Sequence, residues 1–132
     1  MIRILVIEDD ASVLDNLEDI LTLENFQVFT ARNGREGVDV ALRQLPDLIV
    51  CDVMMPEMDG YAVVKCLREE PATKTIPFIF LTAKAERLDY REGMESGADD
   101  YVTKPFRPQE LINAIEVRLA RHASLMQPYH DE

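Results

Sequence analysis

The sequence predicts an α/β protein, a (βα)5 three-layer sandwich with a parallel five-stranded sheet between helices. Two observations carry this. Short apolar runs alternate with longer stretches of helical period along the whole 132-residue chain, the signature of successive βαβ units. Several of those runs are apolar at nearly every position, as a central parallel strand buried on both faces must be.

The elements follow in order. Residues 2–7, 27–30, 48–53, 77–81 and 100–103 read as strands, the first, third and fourth being the doubly buried ones. From 10 to 24, Leu14, Leu17 and Leu21 form an apolar stripe flanked by Val13 and Ile20. From 33 to 45, Val38, Ala41, Leu42 and Leu45 do the same, with Asn33 as N-cap and Glu36 placed for a capping box. Asp59 caps a third helix carrying Val63, Val64 and Leu67 and ended by Pro71. A fourth helix is predicted over 86–96, with Gly97 as a left-handed C-cap. The fifth opens at Pro108 and Glu110 and continues through Leu111, Ile115 and Leu119. No repeat or linker interrupts the series. One domain is expected over 1–122, with 123–132 a C-terminal tail or truncated linker.

Composition narrows the function. With 25 Asp plus Glu against 14 Lys plus Arg, the net charge is −11, which argues against direct binding to nucleic-acid backbones or anionic membranes. No apolar stretch is long enough to span a bilayer, and residues 1–6 lack a signal-peptide layout. Cys51 and Cys66 make neither a disulfide framework nor a metal spacing, so a reducing cytoplasmic setting is expected.

The acids concentrate where such a fold binds ligands. In an open sheet of flavodoxin-like order 2-1-3-4-5, the crevice lies beyond the carboxyl ends of strands 1 and 3. Glu8, Asp9 and Asp10 follow strand 1 directly, and Asp52 ends strand 3. Asp9 and Asp10 alone would be explained as helix caps. Asp52, after the buried run from Leu48 to Cys51, is harder to explain structurally, because Asp is depleted in strands and seldom buried unpaired. Converging carboxylates need a cation, and an all-oxygen set favours Mg²⁺. Thr82 follows the fourth strand, and Lys104, held extended by Pro105, follows the fifth. A hydroxyl, an ammonium and a divalent cation around one carboxylate suit phosphoryl chemistry, with Asp itself as nucleophile.

Taken together, Ile7-Glu8-Asp9-Asp10, Asp52-Val53-Met54-Met55-Pro56 with Asp59-Gly60, Leu81-Thr82-Ala83, and Gly97-Ala98-Asp99-Asp100-Tyr101 followed by Lys104-Pro105-Phe106 resemble the receiver domain of two-component response regulators. The resemblance implies that Asp52 is the phosphoacceptor, loaded from a phosphohistidine on a sensor histidine kinase or histidine phosphotransfer protein. It implies Mg²⁺ bound by Asp9, Asp52 and the Met54 backbone carbonyl, with Glu8 acting through a metal-bound water. Lys104 would pair with the phosphoryl oxygens, and the Lys104–Pro105 peptide would be cis. Thr82 and Tyr101 match the switch pair, and Met54, Ala83 and Lys84 the positions that tune the phosphoryl lifetime. The output would be a changed surface on the helix over 86–96, the last strand and the last helix. Such a domain is a signalling protein that catalyses only its own phosphotransfer and autodephosphorylation.

A homodimer is a further implication, with Arg118 and Arg121 facing Asp99 or Asp100, although Ala114 and Glu116 stand where DNA-binding members commonly carry basic residues. Three rival readings fit the residues less well. A Mg²⁺-dependent phosphatase with an Asp nucleophile would want a second acid where Met54 stands, and a flavin carrier would not place Glu8-Asp9-Asp10 against a phosphate. An unphosphorylated receiver-like adaptor usually lacks one of the acids or the lysine, and all are present here. Cys51 reads as core, and His122 and His130 as solvated surface.

Overall fold

The chain runs β1 (Arg3–Ile7), α1 (Ala11–Leu23), β2 (Gln27–Ala31), α2 (Gly34–Gln44), β3 (Leu48–Asp52), α3 (Gly60–Arg68), β4 (Phe78–Ala83), β5 (Asp100–Lys104) and α4 (Pro108–Met126). The computed structural model describes residues 1–83 and 97–126. The helix expected over 86–96, Lys84 and the tail residues 127–132 with His130 lie outside the described residues. All five strands are parallel and lie in the order β2-β1-β3-β4-β5, as the alternating pattern predicts.

Strand pleating explains the two-sided core. Successive side chains point to opposite faces, so β3 sends Ile49 and Cys51 to one cluster and Leu48 and Val50 to the other. The first cluster is closed by Val38, Val40 and Ala41 of α2 with Val63, Val64 and Leu67 of α3. The second is closed by Leu14, Leu17 and Leu21 of α1 with Leu111, Ile112 and Ile115 of α4. The α1 and α3 stripes are the ones read at helical spacing, whereas in α2 the expected Leu42 and Leu45 are 39% and 46% exposed and Val40 is buried instead. The expected caps form too. Asp59 accepts from the Ala62 N–H at 2.9 Å and Asn33 from the Glu36 N–H at 2.8 Å. The Glu36 carboxylate reaches back to the Arg32 N–H at 2.7 Å, one residue beyond the usual capping-box partner.

Most strand ends shift by one residue or two, and the last helix is longer than expected. β4 continues through Thr82 and Ala83, and β5 includes Lys104, because Thr82 pairs with Thr103 and Ala83 with Lys104. Both polar residues are therefore fixed by the ladder rather than carried on loops. α4 runs to Met126, past the boundary expected at 122, since no glycine or proline breaks the helical sequence before Pro128. No described helix is long and apolar enough to cross a membrane.

Candidate functional site

The sheet register builds the site. Ile7 pairs with Cys51 and Asp52 with Leu81, so the residue after β1 lands beside the end of β3. There Glu8 is 1% and Asp52 7% exposed. One carboxylate oxygen each from Glu8, Asp9 and Asp52 lies within 4.8 Å of the others. Lys104 reaches in from the tip of β5, with its Nζ 3.3 Å from both Glu8 Oε1 and Asp52 Oδ1.

Geometry gives Asp9 and Asp10 different surroundings. Asp10 is the N-cap of α1: its Oδ1 accepts from the Ser12 N–H at 2.9 Å, the Ser12 hydroxyl at 2.8 Å and the Val13 N–H at 3.2 Å. The Ser12 hydroxyl first, then these amides, hold its carboxyl below the ordinary range. Asp9 belongs to the three-carboxylate cluster instead.

Electrostatics in the crevice follow from burial and like charge. Burial above all, then the Asp52 charge, pushes the Glu8 carboxyl up to about 7. Burial likewise raises Asp52, against the opposing pull of Lys104. Burial acts to lower the Lys104 ammonium, but the Asp52 and Glu8 carboxylates overcome it and hold the amine above its ordinary value. Lys104 thus meets two of the three clustered carboxylates directly. A hard divalent cation fits this all-oxygen set and would relieve the repulsion that raises Glu8.

The remaining predicted residues surround this centre. Thr82, 7% exposed, stands one step beyond the Asp52 partner Leu81 on β4. Its hydroxyl donates to the Ala83 carbonyl at 3.4 Å. Tyr101 pairs with Phe80 on the face packed by α2 and α3, the same face as Thr82 by alternation. Ala83 is half-buried, and Met54 is 60% exposed beside the crevice. The Lys104–Pro105 peptide is cis. Cys51 is fully buried, and burial pushes its thiol up, consistent with a core residue. His122 is half-buried against a cavity of about 220 Å³ with Ile2, Pro77 and Leu119, rather than fully solvated, because α4 lays it over the lower edge of the sheet. Asp99 and Asp100 are engaged within the chain, Asp99 with Arg68 at 3.2 Å and Asp100 with Arg118 at 3.6 Å.

Arg68 escaped the sequence reading. Gly60 enters it only within the Asp59-Gly60 motif, and the structure supplies the reason for it. A Cβ on Gly60 would stand 2.5 Å from the Asp52 carbonyl oxygen and 3.0 Å from the Phe80 ring. Only glycine lets α3 begin against the backbone at the end of β3, where the Gly60 N–H donates to the Val53 carbonyl at 2.8 Å. Gly60→Ala is therefore expected to destabilise the fold by about 1–3 kcal/mol, because backbone rather than a flexible side chain must shift. Urea unfolding checks it, and an unchanged midpoint would refute the close approach.

Comparison with known proteins agrees with the geometry. The family model described as "Response regulator receiver domain" matches residues 4–116. The protein named "Probable transcriptional regulator ycf27" of Porphyra purpurea is 46% identical over 119 residues, 90% of this chain and 48% of its own length. The DNA-binding response regulator MtrA of Mycobacterium tuberculosis H37Rv is 40% identical over 120 residues, 91% of this chain and 51% of its own. The chain thus spans about half the length of the curated relatives it matches. Among solved structures, the receiver domain of the sensor histidine kinase PA1611 from Pseudomonas aeruginosa has a magnesium ion coordinated in its active-site cleft. It superposes with a TM-score of 0.83 at 30% identity, covering 89% of this chain and 97% of that one. The chain belongs to the response regulator receiver domain family.

Proposed function

We propose that Asp52 accepts a phosphoryl group from a phosphohistidine donor and that the domain is a phosphorylation-dependent switch. The observation that carries this is the convergence of Glu8, Asp9 and Asp52 with a single lysine 3.3 Å from two of them. An Asp52 carboxylate oxygen attacks phosphorus. The phosphorus–nitrogen bond breaks, and its electron pair returns to the donor imidazole, which takes up a proton. The donor is a sensor histidine kinase or a histidine phosphotransfer protein.

Asp9, Asp52 and the Met54 carbonyl would hold Mg²⁺, and Glu8 would act on it through a water. When bound, the ion neutralises charge on the phosphoryl oxygens. The Lys104 ammonium orients the phosphoryl group and takes up charge that Asp52 gains. Thr82 supplies a hydroxyl donor to the new oxygens, and the Tyr101 ring turns inward behind it. Met54, Ala83 and Lys84 tune the lifetime of the group. Hydrolysis of the aspartyl phosphate returns the domain to its resting state. The output is a changed surface on 86–96, β5 and α4, read by a partner protein or a second copy.

Acetyl phosphate with Mg²⁺ tests the assignment. The native chain is expected to gain one phosphoryl mass, and Asp52→Asn to gain none. Undiminished labelling of that variant would sink the proposal.

A further inference from the structure

β5 lies at the edge of the sheet, bonded to β4 alone, and only Val102 among its residues is buried. Strand register is set mainly by the buried side chains, so such a strand is weakly specified by its own sequence. Its lower end is instead pinned. The Asp99 N–H donates to the Phe78 carbonyl at 2.8 Å, and the Asp99 carboxylate accepts the Phe78 N–H at 2.8 Å.

Arg68, the last residue of α3, holds that carboxylate. Its Nη2 lies 3.2 Å from Asp99 Oδ2, and its Nε donates to the Gly97 carbonyl at 3.0 Å. Its Nη1 donates to the carbonyls of Ile76 at 2.7 Å and Lys74 at 3.2 Å. One guanidinium therefore joins α3, the 69–77 connection, the start of β4 and the turn before β5. The turn is shaped around it. Gly97 has φ +112°, and a Cβ there would stand 2.9 Å from Arg68 Cγ.

We propose that Arg68 is a positioning residue for Lys104: by locking Asp99 onto Phe78 it sets the register of β5, and register sets where the Lys104 amine meets Asp52. The inference rests on the phosphoacceptor reading above. Asp99 and Lys104 are five residues apart, about 16 Å along an extended strand. The clamp thus acts from the end of the sheet opposite the chemistry. A two-residue slip keeps every side chain on its face but moves Lys104 by about 6.6 Å, out of reach of the carboxylates. The carboxylates of the proposed metal site sit after β1 and at the end of β3, strands that Arg68 does not touch. Arg68 therefore governs the phosphoryl oxygens and leaves the cation alone.

The test separates those two ligands. Mg²⁺ is titrated alone, and then beryllofluoride, a phosphoryl mimic, at saturating Mg²⁺, with backbone amide NMR signals as the readout. Arg68→Ala is compared with the native chain and with Lys104→Ala. The expected result is unchanged Mg²⁺ affinity, beryllofluoride affinity about ten- to a hundred-fold weaker, and faster amide exchange across β5. Arg68→Lys is expected to fail likewise, because a point charge cannot span three carbonyls and a carboxylate. If Arg68→Ala does not fold, Arg68→Lys and Asp99→Asn carry the comparison. Native-like beryllofluoride affinity in the folded variants overturns the proposal, and so does a parallel loss of Mg²⁺ and beryllofluoride. A native chain that takes no beryllofluoride overturns the phosphoacceptor reading itself.

Discussion

Replacing Lys104 with alanine is expected to destabilise the metal-free protein by about 2–3 kcal/mol at neutral pH. The variant leaves Glu8, 1% exposed, and Asp52, 7% exposed, facing each other and Asp9 with no cation. Breaking a fully buried pair costs about 3–5 kcal/mol, and a smaller loss is expected here because the Lys104 side chain is 28% exposed. The deficit should shrink at pH 5, where Glu8 becomes neutral, and should shrink again when Mg²⁺ is added. Urea unfolding at the two pH values, with and without Mg²⁺, measures all of this. The same variant should still take up some phosphoryl group from acetyl phosphate, yet show little of the amide shift that loading produces across β5 and α4. Full switching without the lysine would refute its role, and an unchanged unfolding midpoint would refute its electrostatic one.

The second large effect is a pH profile that runs opposite to ordinary acid denaturation. Burial and Asp52 raise the Glu8 carboxyl from its ordinary 4.5 to about 7. Between those values the folded chain holds a proton that the unfolded chain releases, so stability falls as pH rises. For Glu8 the loss is about 3 kcal/mol across that window, and the raised carboxyl of Asp52 acts in the same direction. Lys104, held above its ordinary 10.5, loses its contribution only in alkali, and Asp10, held below 3.8, only in strong acid. In EDTA the protein should therefore be most stable near pH 5. On the proposed reading Mg²⁺ would bind the ionised crevice of the folded chain, and at a hundred times its dissociation constant it is expected to add about 2.7 kcal/mol, flattening the neutral side of the profile. Thermal or urea midpoints at pH 5 and 7 decide the matter. Rising stability towards pH 7 in EDTA, with Mg²⁺ inert, would contradict the electrostatic account of the crevice.

Much of this was legible in the sequence, for identifiable reasons. β1 and β3 are apolar on both faces, and a run such as Leu48 to Cys51 leaves few alternatives to a central strand. Asp52 then stands out because a carboxylate at that position needs a reason. Lys104 was visible through Pro105, which marks it as positioned. Residue type and spacing do not separate Asp9 from Asp10, since two adjacent acids before a helix look alike until one is seen capping Ser12 and Val13; the family resemblance alone singles out Asp9. Arg68 was hidden for a different reason. Three of its partners are main-chain carbonyls of Lys74, Ile76 and Gly97, and a carbonyl leaves no mark in residue identity. The ends of β4 and β5 were missed because cross-strand pairing, rather than apolar content, holds Thr82 and Lys104 in the ladder.

The two apolar clusters on either side of the sheet carry an evolutionary consequence. By pleat alternation Asp52 and Lys104 lean towards the α1 and α4 side, while Thr82 and Tyr101 lean towards α2 and α3. The strands between are filled with side chains, so the layers meet mainly at the strand tips. Substitutions on the outside of α1 can accumulate without compensation beneath α2 and α3. Across relatives, correlated substitutions should cluster within one layer, and the pairs that bridge the layers should gather at residues 8, 52, 82 and 104.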